Sequence, residues 1–142
     1  MDKRILVPVD GSEQAHEACE FVVREFPDAT MVLLHVINPA EAGYSAQASL
    51  PSFSEEWYER EKETAEELFD ELVTATEAHD VDVERIVEVG RPTTAIVDYA
   101  DDHDVDQIVM GSHGRSGVSR ILLGSVAETV VRRASVPVTV AR

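Results

Sequence analysis

The chain has 142 residues, and its 28 acidic against 12 basic side chains give a formal net charge of −16. Nucleic acid backbones attract basic surfaces, so this balance argues against a DNA-binding or RNA-binding function. The one cysteine, Cys19, excludes a disulfide framework and a C-x-x-C motif. At this length one domain, spanning residues 1–142, can bury a core without a disulfide or a structural metal.

The apolar pattern and the lysine content of the chain indicate its cellular compartment and the kind of organism it comes from. The N-terminal residues lack the apolar core of a signal peptide, and no stretch approaches the roughly 20 apolar residues of a membrane span. We therefore expect a cytoplasmic protein without membrane contact. Only Lys3 and Lys62 are lysines, and the excess acid is spread along the chain. Acid-rich, lysine-poor surfaces suit a salt-rich cytoplasm, so we expect a halophilic source with an acidic proteome.

The first third of the chain predicts a β-α-β unit. Arg4–Val9 is an apolar run typical of a buried strand, and Asp10–Ser12 closes it with turn residues. A helix follows over Glu13–Phe26, where apolar residues recur at helical spacing. Cys19 falls in that apolar series and is interpreted as a core residue. A second buried strand is predicted at Thr30–Ile37.

The middle of the chain begins with an irregular stretch. Residues 38–53 hold Pro, Gly, Ser and Ala without either periodicity, which is typical of a lid or a partner-binding loop. Ser54 can then cap a long acidic helix whose apolar positions form one buried stripe. The carboxylates on the other face of this helix are interpreted as a solvated surface and not as a site.

The second half of the chain supplies three more strands and two more helices. Alternating residues predict an edge strand at Val83–Val89, and Gly90–Pro92 opens the third helix with proline in its first turn. An apolar run predicts a buried strand at Gln107–Met110. The fourth helix is predicted at Val126–Ala134, and the last strand at Val136–Val140, where a proline marks a sheet edge.

Together these elements predict an α/β fold. Five strands alternating with four helices indicate a mostly parallel sheet of order 3-2-1-4-5 between two layers of helices. In such sheets ligands bind beyond the carboxyl ends of the strands, where the strand order reverses. That place lies between the first and fourth strands, so Pro8–Asp10 should face Met110–Gly111.

The glycine-rich segment between the fourth strand and the fourth helix is the strongest functional signal. Its glycines at 111, 114 and 124 are predicted to form a backbone cradle for phosphate. Glycine allows a positive φ and lets a phosphate approach the backbone without a Cβ in the way. The start of the following helix adds unpaired N–H groups and the positive end of its dipole.

Charge supports an anion site in this segment, and two plainer interpretations stay open. Residues 107–142 carry five arginines against one carboxylate side chain, and Arg115 and Arg120 lie within the segment itself. The glycines could, however, belong to a simple tight connection. The run from Ser125 to Glu128 also fits a capping box, in which both side chains satisfy N–H groups at the helix start.

Several common chemistries lack their signatures. The sequence has no G-x-x-x-x-G-K-[ST], no G-x-G-x-x-G after the first strand and no G-x-S-x-G, which argues against a P-loop NTPase, a dinucleotide dehydrogenase and a nucleophile-elbow hydrolase. Asp10, His35 and His113 could converge at the strand ends to bind a metal or move a proton. A hydrogen-bonded structural role is the more usual one for such histidines.

Five stretches carry a resemblance that covers nearly the whole chain. They resemble the universal stress protein family, and the spacing G-x2-G-x9-G-[ST], met by Gly111, Gly114, Gly124 and Ser125, is typical of its ATP-binding branch. The stretches are Val7–Ser12, Leu34–Val36, Gly90–Pro92, Met110–Gly114 and Leu123–Val126. The resemblance implies a Rossmann-like fold of the adenine nucleotide hydrolase type.

The resemblance also implies a ligand and its contacts. The ligand would be ATP, or AMP or ADP, with Mg²⁺ as a companion of the phosphates. Pro8, Val9 and Asp10 would border the adenosine, with Asp10 reaching the ribose, and the backbone of Val36 would meet the adenine. The ribose and phosphates would be held by the remaining site residues: Met110, Gly111, Gly114, Gly124, Ser125 and Val126. Arg115 and Arg120 match no fixed position of the family, but their positive charge suits a triphosphate, and Arg115 is included in the predicted site.

The expected function is therefore an ATP-binding regulatory protein of the stress response, with weak or no hydrolysis. No P-loop lysine and no good general base are evident. The alternatives are a slow Mg²⁺-dependent ATPase using Asp10 or His113, and a receiver-like signalling domain. A receiver-like domain needs clustered aspartates and a lysine at the end of the last strand, and no lysine follows Lys62. The family further implies a homodimer paired through the last strand, Val136–Val140.

Overall fold

The apolar runs of the chain form the strands of one parallel sheet. The structure, a computed structural model, describes residues 3–10, 13–39, 55–76, 81–111 and 124–141. The order of the strands is β3-β2-β1-β4-β5, and all four neighbouring pairs are parallel. The predicted order is thereby confirmed. The strands are β1 (Arg4–Pro8), β2 (Thr30–Ile37), β3 (Asp82–Val89), β4 (Gln107–Gly111) and β5 (Val138–Ala141).

Helices cover both faces of the sheet. Those described are α1 (Glu13–Glu25), α2 (Glu55–Thr76), α3 (Pro92–Asp102) and α4 (Ser125–Arg133). One apolar cluster joins α1 and α2 to one face of the sheet, and a second joins α3 and α4 to the other. Side chains of a strand alternate between faces, so Ile5 and Val7 belong to the first cluster and Leu6 to the second.

Burial explains why the strands differ in sequence. The central strands are covered on both faces, and Ile5–Val7, Met31–Leu34 and Ile108–Met110 are all buried. A strand buried on both sides is a continuous apolar run. The edge strand β3 alternates instead, because its charged side chains reach water, as Glu84 does. The predictions of buried inner strands and of edges at β3 and β5 are confirmed.

Element ends differ from the predictions by one or two residues. The first strand ends at Pro8 and not at Val9, because the carbonyl of Val9 is bonded by the side chain of His35, although its N–H still donates to Leu34. The last strand begins at Val138 and not at Val136, because Pro137 has no N–H for a ladder. Of the loop predicted at residues 38–53, only residues 38 and 39 are described. The predicted cap, Ser54, lies outside the described residues.

An ion pair ties the amino edge of the sheet together across β2. The guanidinium of Arg4 on β1 donates two hydrogen bonds, of 2.9 and 3.2 Å, to the carboxylate of Glu84 on β3. The main-chain N–H of Arg4 also donates to the carboxylate of Asp106, at 2.8 Å. The bond from Arg4 lowers the pKa of Glu84 and raises that of Arg4. Because Glu84 is half exposed, solvent screens much of this stabilisation.

The cysteine is a core residue, as predicted. Cys19 is fully buried on the inner face of α1 in the cluster beneath α1 and α2. Burial raises the pKa of its thiol to about 12, because the thiolate would lose its hydration there. The folded chain therefore holds this proton above pH 9, where the unfolded chain releases it.

This shift predicts a loss of stability at alkaline pH that Cys19→Ala removes. The pKa of Cys19 is raised on folding, so its contribution is complete below the ordinary thiol pKa of 9.0 and declines as pH rises towards 12. Urea unfolding at several pH values should show the native chain losing its advantage over C19A by about 1.4 kcal/mol per pH unit above that value. A difference that stays constant between pH 8 and pH 11 would contradict the burial of the thiol.

Candidate functional site

The carboxyl ends of β1 and β4 lie where the strand order reverses, and this place is called the crevice below. The chain leaves β1 for α1 on one face, whereas β4 is followed in the fold by α4 on the other face. The connections diverge, and such a divergence is where parallel sheets bind ligands. In the β1–β4 register Ile5 pairs with Gln107 and Leu6 with Ile108. Extending that register by three residues brings Val9 level with Gly111, as predicted.

The first wall of the crevice is the end of β1. Val9 is buried and donates its N–H to the carbonyl of Leu34 at 2.9 Å, while Asp10 is exposed. The carbonyl of Val9 accepts a hydrogen bond of 3.0 Å from Nδ1 of His35. The predicted structural role of His35 is thus confirmed. Among the described residues no group of three or more metal-ligating side chains occurs, and His113 lies outside them.

The backbone of Val36 faces the crevice. Even-numbered residues of β2 bond towards β1: the N–H of Thr30 donates to the carbonyl of Lys3, and the carbonyl of Leu34 accepts from Val9. Odd-numbered residues bond towards β3, as the bond from Gly90 N–H to Ile37 carbonyl shows. By this alternation the N–H and C=O of Val36 point to the β1 side, just beyond the end of β1. A planar ligand edge placed there meets a backbone donor and acceptor.

The second wall is the end of β4, where Met110 is buried and Gly111 packs against α1. A Cβ built on Gly111 would lie 2.8 Å from the carbonyl oxygen of Gln14, in the first turn of α1. Gly111 has no positive φ; among the described glycines only Gly90 does. The positive φ expected for this glycine is therefore wrong, whereas the approach of a phosphate to its backbone stays a prediction. Glycine is required here because the helix backbone approaches so closely.

The third part of the candidate site is the start of α4. The prediction that Ser125 and Glu128 form a capping box there is wrong. Gly124 is the N-cap residue, with φ −69° and ψ 163°, and its carbonyl accepts from the N–H of Glu128 at 2.9 Å. Ser125 is already helical and therefore cannot be the cap. The carboxylate of Glu128 pairs instead with Arg132 at 3.4 Å. A positive φ at Gly124 is likewise not found.

The direction of α4 places its start near the crevice. This helix must return the chain to the amino end of β5, which is parallel to β4. Its first residues, Ser125 and Val126, therefore lie towards the carboxyl edge, where unpaired N–H groups of the first turn collect. Gly114 and Arg115, predicted to complete the phosphate cradle, lie outside the described residues. The structure thus brings the other predicted residues to one edge of the sheet.

A separate cavity of about 220 Å³ lies along α3 and the end of β3. Its lining includes Glu88, Arg91, Asp98 and Tyr99, and none of the predicted site residues. His103 stacks on Tyr99 with ring centroids 3.9 Å apart, and burial raises the pKa of Tyr99. The cavity is therefore distinct from the crevice between β1 and β4.

The sequence does not predict two contacts of the crevice, that of Gln14 with Gly111 and that of His35 with Val9. Gln14 fixes Gly111 through its backbone, so its residue type carries no signal. The sequence leaves His35 open as a metal ligand or a structural group, and its position after a run of apolar residues does not identify Val9 as its hydrogen-bond partner.

In the described part of the chain no helix is long and apolar enough to cross a membrane.

The fold is that of a doubly wound α/β protein, in which the strand order reverses between β1 and β4. The model of the universal stress protein family matches residues 1–142. The chain therefore belongs to the universal stress protein family.

Similar proteins match nearly the whole of this chain. Universal stress protein MJ0531 of Methanocaldococcus jannaschii is 34% identical, covering 99% of this chain and 82% of that protein. Universal stress protein MJ0577 of the same organism is 34% identical, covering 100% of this chain and 96% of its own. The solved structure of MJ0577 has a TM-score of 0.81, covering 99% of this chain and 96% of that one.

A third relative was solved with a nucleotide. The universal stress protein from Archaeoglobus fulgidus in complex with dAMP is 25% identical, with a TM-score of 0.69. The match covers 99% of this chain and 98% of the Archaeoglobus chain.

The contact between Gly111 and Gln14 predicts the effect of Gly111→Ala. The added methyl group would overlap the first turn of α1, so we expect a loss of about 1–3 kcal/mol in the free energy of unfolding, measured by urea denaturation. Gln14→Ala in the same chain should not restore it, because the obstructing atoms are the Cβ and backbone of Gln14. A G111A chain as stable as the native one would contradict the close approach.

Proposed function

We propose that the protein is an adenine-nucleotide-binding regulatory protein of the stress response, formed as one domain. ATP is the expected ligand, with ADP and AMP as the alternatives. The observation that carries the proposal is the crevice itself, where β2 presents the backbone of Val36 beyond the end of β1. The dAMP complex of the Archaeoglobus relative supports an adenine nucleotide as the ligand.

The adenosine half would lie between the ends of β1 and β2. The N–H and C=O of Val36 would bond the adenine edge, which offers both a ring-nitrogen acceptor and an amino donor. Pro8 and Val9 would form the apolar floor beside the ring, and the exposed carboxylate of Asp10 would accept hydrogen bonds from the ribose hydroxyls. Because a carboxylate makes strong hydrogen bonds, Asp10 carries most of the preference for a ribose.

The phosphates would lie towards β4 and α4. Met110 and Gly111 end β4, and the first N–H groups of α4, at Ser125 and Val126, would meet the anion together with Gly124. Gly114 and Arg115 complete this half of the proposal. Mg²⁺ bound to nucleotides is coordinated largely by phosphate oxygens and water. It would therefore need few protein ligands.

Binding is better supported than turnover. The sequence has no lysine after Lys62, so no P-loop lysine can neutralise the charge that develops on a transferred phosphoryl group. The second candidate function is a slow Mg²⁺-dependent ATPase. The observation that favours it is the exposed carboxylate of Asp10 at the crevice, and His113 would be its companion.

The proposal also covers the oligomeric state of the protein, its cellular compartment and the kind of organism it comes from. β5 is an edge strand whose Val138 and Val140 are half-buried, and an uncovered edge can pair with a second copy. We place a homodimer contact at Val136–Val140. The buried, free Cys19 suits a reducing cytoplasm. A net charge of −16 suits a halophilic source and disfavours nucleic acid as a partner.

Nucleotide release and calorimetry test this function. Protein purified without added nucleotide is denatured, and the released small molecules are identified by mass spectrometry. The stripped protein is then titrated with ATP, ADP, AMP and GTP. We expect adenine nucleotides to bind and Asp10→Ala to weaken ATP binding roughly tenfold or more, because it removes a charge-assisted hydrogen bond.

Asp98→Ala is the matched control. Asp98 is also an exposed aspartate, but it lines the cavity along α3. ATP affinity should be unchanged in D98A. Absence of adenine-nucleotide binding by the native chain, or an equal loss in D98A and D10A, would contradict the proposed site.

A further inference from the structure

The hydrogen bond between His35 and Val9 lies at the step where the ladder between β1 and β2 stops. Within the described residues, the last main-chain bond of that ladder runs from the N–H of Val9 to the carbonyl of Leu34, at 2.9 Å. The next acceptor along the chain is the carbonyl of Val9. It is bonded at 3.0 Å by the side chain of His35, which is half-buried.

This bond fixes one peptide plane. The carbonyl of Val9 and the N–H of Asp10 belong to the same planar peptide unit. With its N–H held by Leu34 and its carbonyl held by His35, Val9 is anchored on both sides. The direction in which Asp10 leaves the sheet is then set, although Asp10 itself stands outside β1. Strand ends without such ties open readily.

The chemistry of the bond determines the histidine tautomer. A carbonyl oxygen can only accept, so Nδ1 of His35 must carry the proton and donate it. A donor at the Nδ1 position is therefore what the role requires. An asparagine amide nitrogen can occupy nearly the same position, one bond beyond Cγ, whereas the glutamine amide nitrogen lies one bond further out, near the position of Nε2.

We infer that His35 is a positioning residue of the nucleotide site: its Nδ1–H holds the Val9 carbonyl and thereby directs Asp10 towards the ribose. The inference rests on the proposed function, because it assigns Asp10 a ligand. His35 itself need not touch the nucleotide. Two successive residues of β2 then build one site, Val36 with its backbone and His35 through the end of β1.

The test compares three variants, His35→Leu, His35→Gln and His35→Asn, with the native full-length chain. Affinity for ATP is measured by calorimetry with Mg²⁺ present. We expect H35L and H35Q to bind ATP roughly fivefold or more weakly, the size that loss of one neutral hydrogen bond produces. H35N should regain most of that loss, because its amide can donate to Val9. A merely space-filling role would not distinguish H35N from H35Q in this order.

His103→Leu is the matched control. Nδ1 of His103 also contacts a main-chain carbonyl, that of Tyr99, at 3.1 Å, but at the end of α3. H103L should keep native affinity for ATP. Thermal unfolding without nucleotide shows whether each variant is folded. If H35L is unfolded, the comparison of H35N with H35Q decides the question alone.

A second readout needs no nucleotide. Long-range ¹H–¹⁵N spectra of the native chain should show His35 with its proton on Nδ1, and the amide signal of Asp10 should move in H35L and H35Q but not in H103L. A proton on Nε2 in the neutral ring, an unmoved Asp10 amide, or ATP affinity in H35L equal to native would each overturn the inference. If the native chain binds no adenine nucleotide while these spectra are as expected, the proposed function fails and the anchoring of Asp10 stands.

Discussion

The site depends on a difference in length between two neighbouring strands. β1 ends at Pro8, whereas β2, in register with it from Thr30 onward, continues to Ile37. Beyond this step the even-numbered residues of β2 still direct their backbone groups to the β1 side, where no strand continues. Val36 is the residue at that position. A parallel sheet with equal strands would have satisfied those groups internally and left no polar edge for a ligand.

On the other side of β1, α1 packs closely against the end of β4. Gly111 lets the first turn of α1 approach until no Cβ fits between Gln14 and the strand. This contact fixes how closely the first turn of α1 lies to the end of β4. The glycine thus shapes the crevice through the fold, independently of any contact with phosphate. The same residue type could serve both purposes, but only the packing is established by geometry.

The sequence predicted the fold well because its strands differ in burial. Met31–Leu34 reads as an apolar run since helices cover both faces, and Asp82–Val89 alternates since it is an edge. The predicted strand order implied that Asp10 and Gly111 lie at the same edge of the sheet, and the structure places them there. Val36 was expected nearby only from the family resemblance. The sequence could not reveal that Gln14 excludes a Cβ from Gly111, because the contact is made largely by backbone. It also could not show that Gly124, and not Ser125, caps α4, since both residue types are common caps.

We propose that an adenine nucleotide binds at the step between β1 and β2. The most direct measurement is a titration of ¹⁵N-labelled protein with ATP and Mg²⁺, followed through the backbone amide signals. We expect the largest chemical-shift changes at Val9, Asp10, Val36, Gly111 and the start of α4. Shifts concentrated around Arg91 and Asp98, along the cavity between α3 and β3, with the step unaffected, would contradict it.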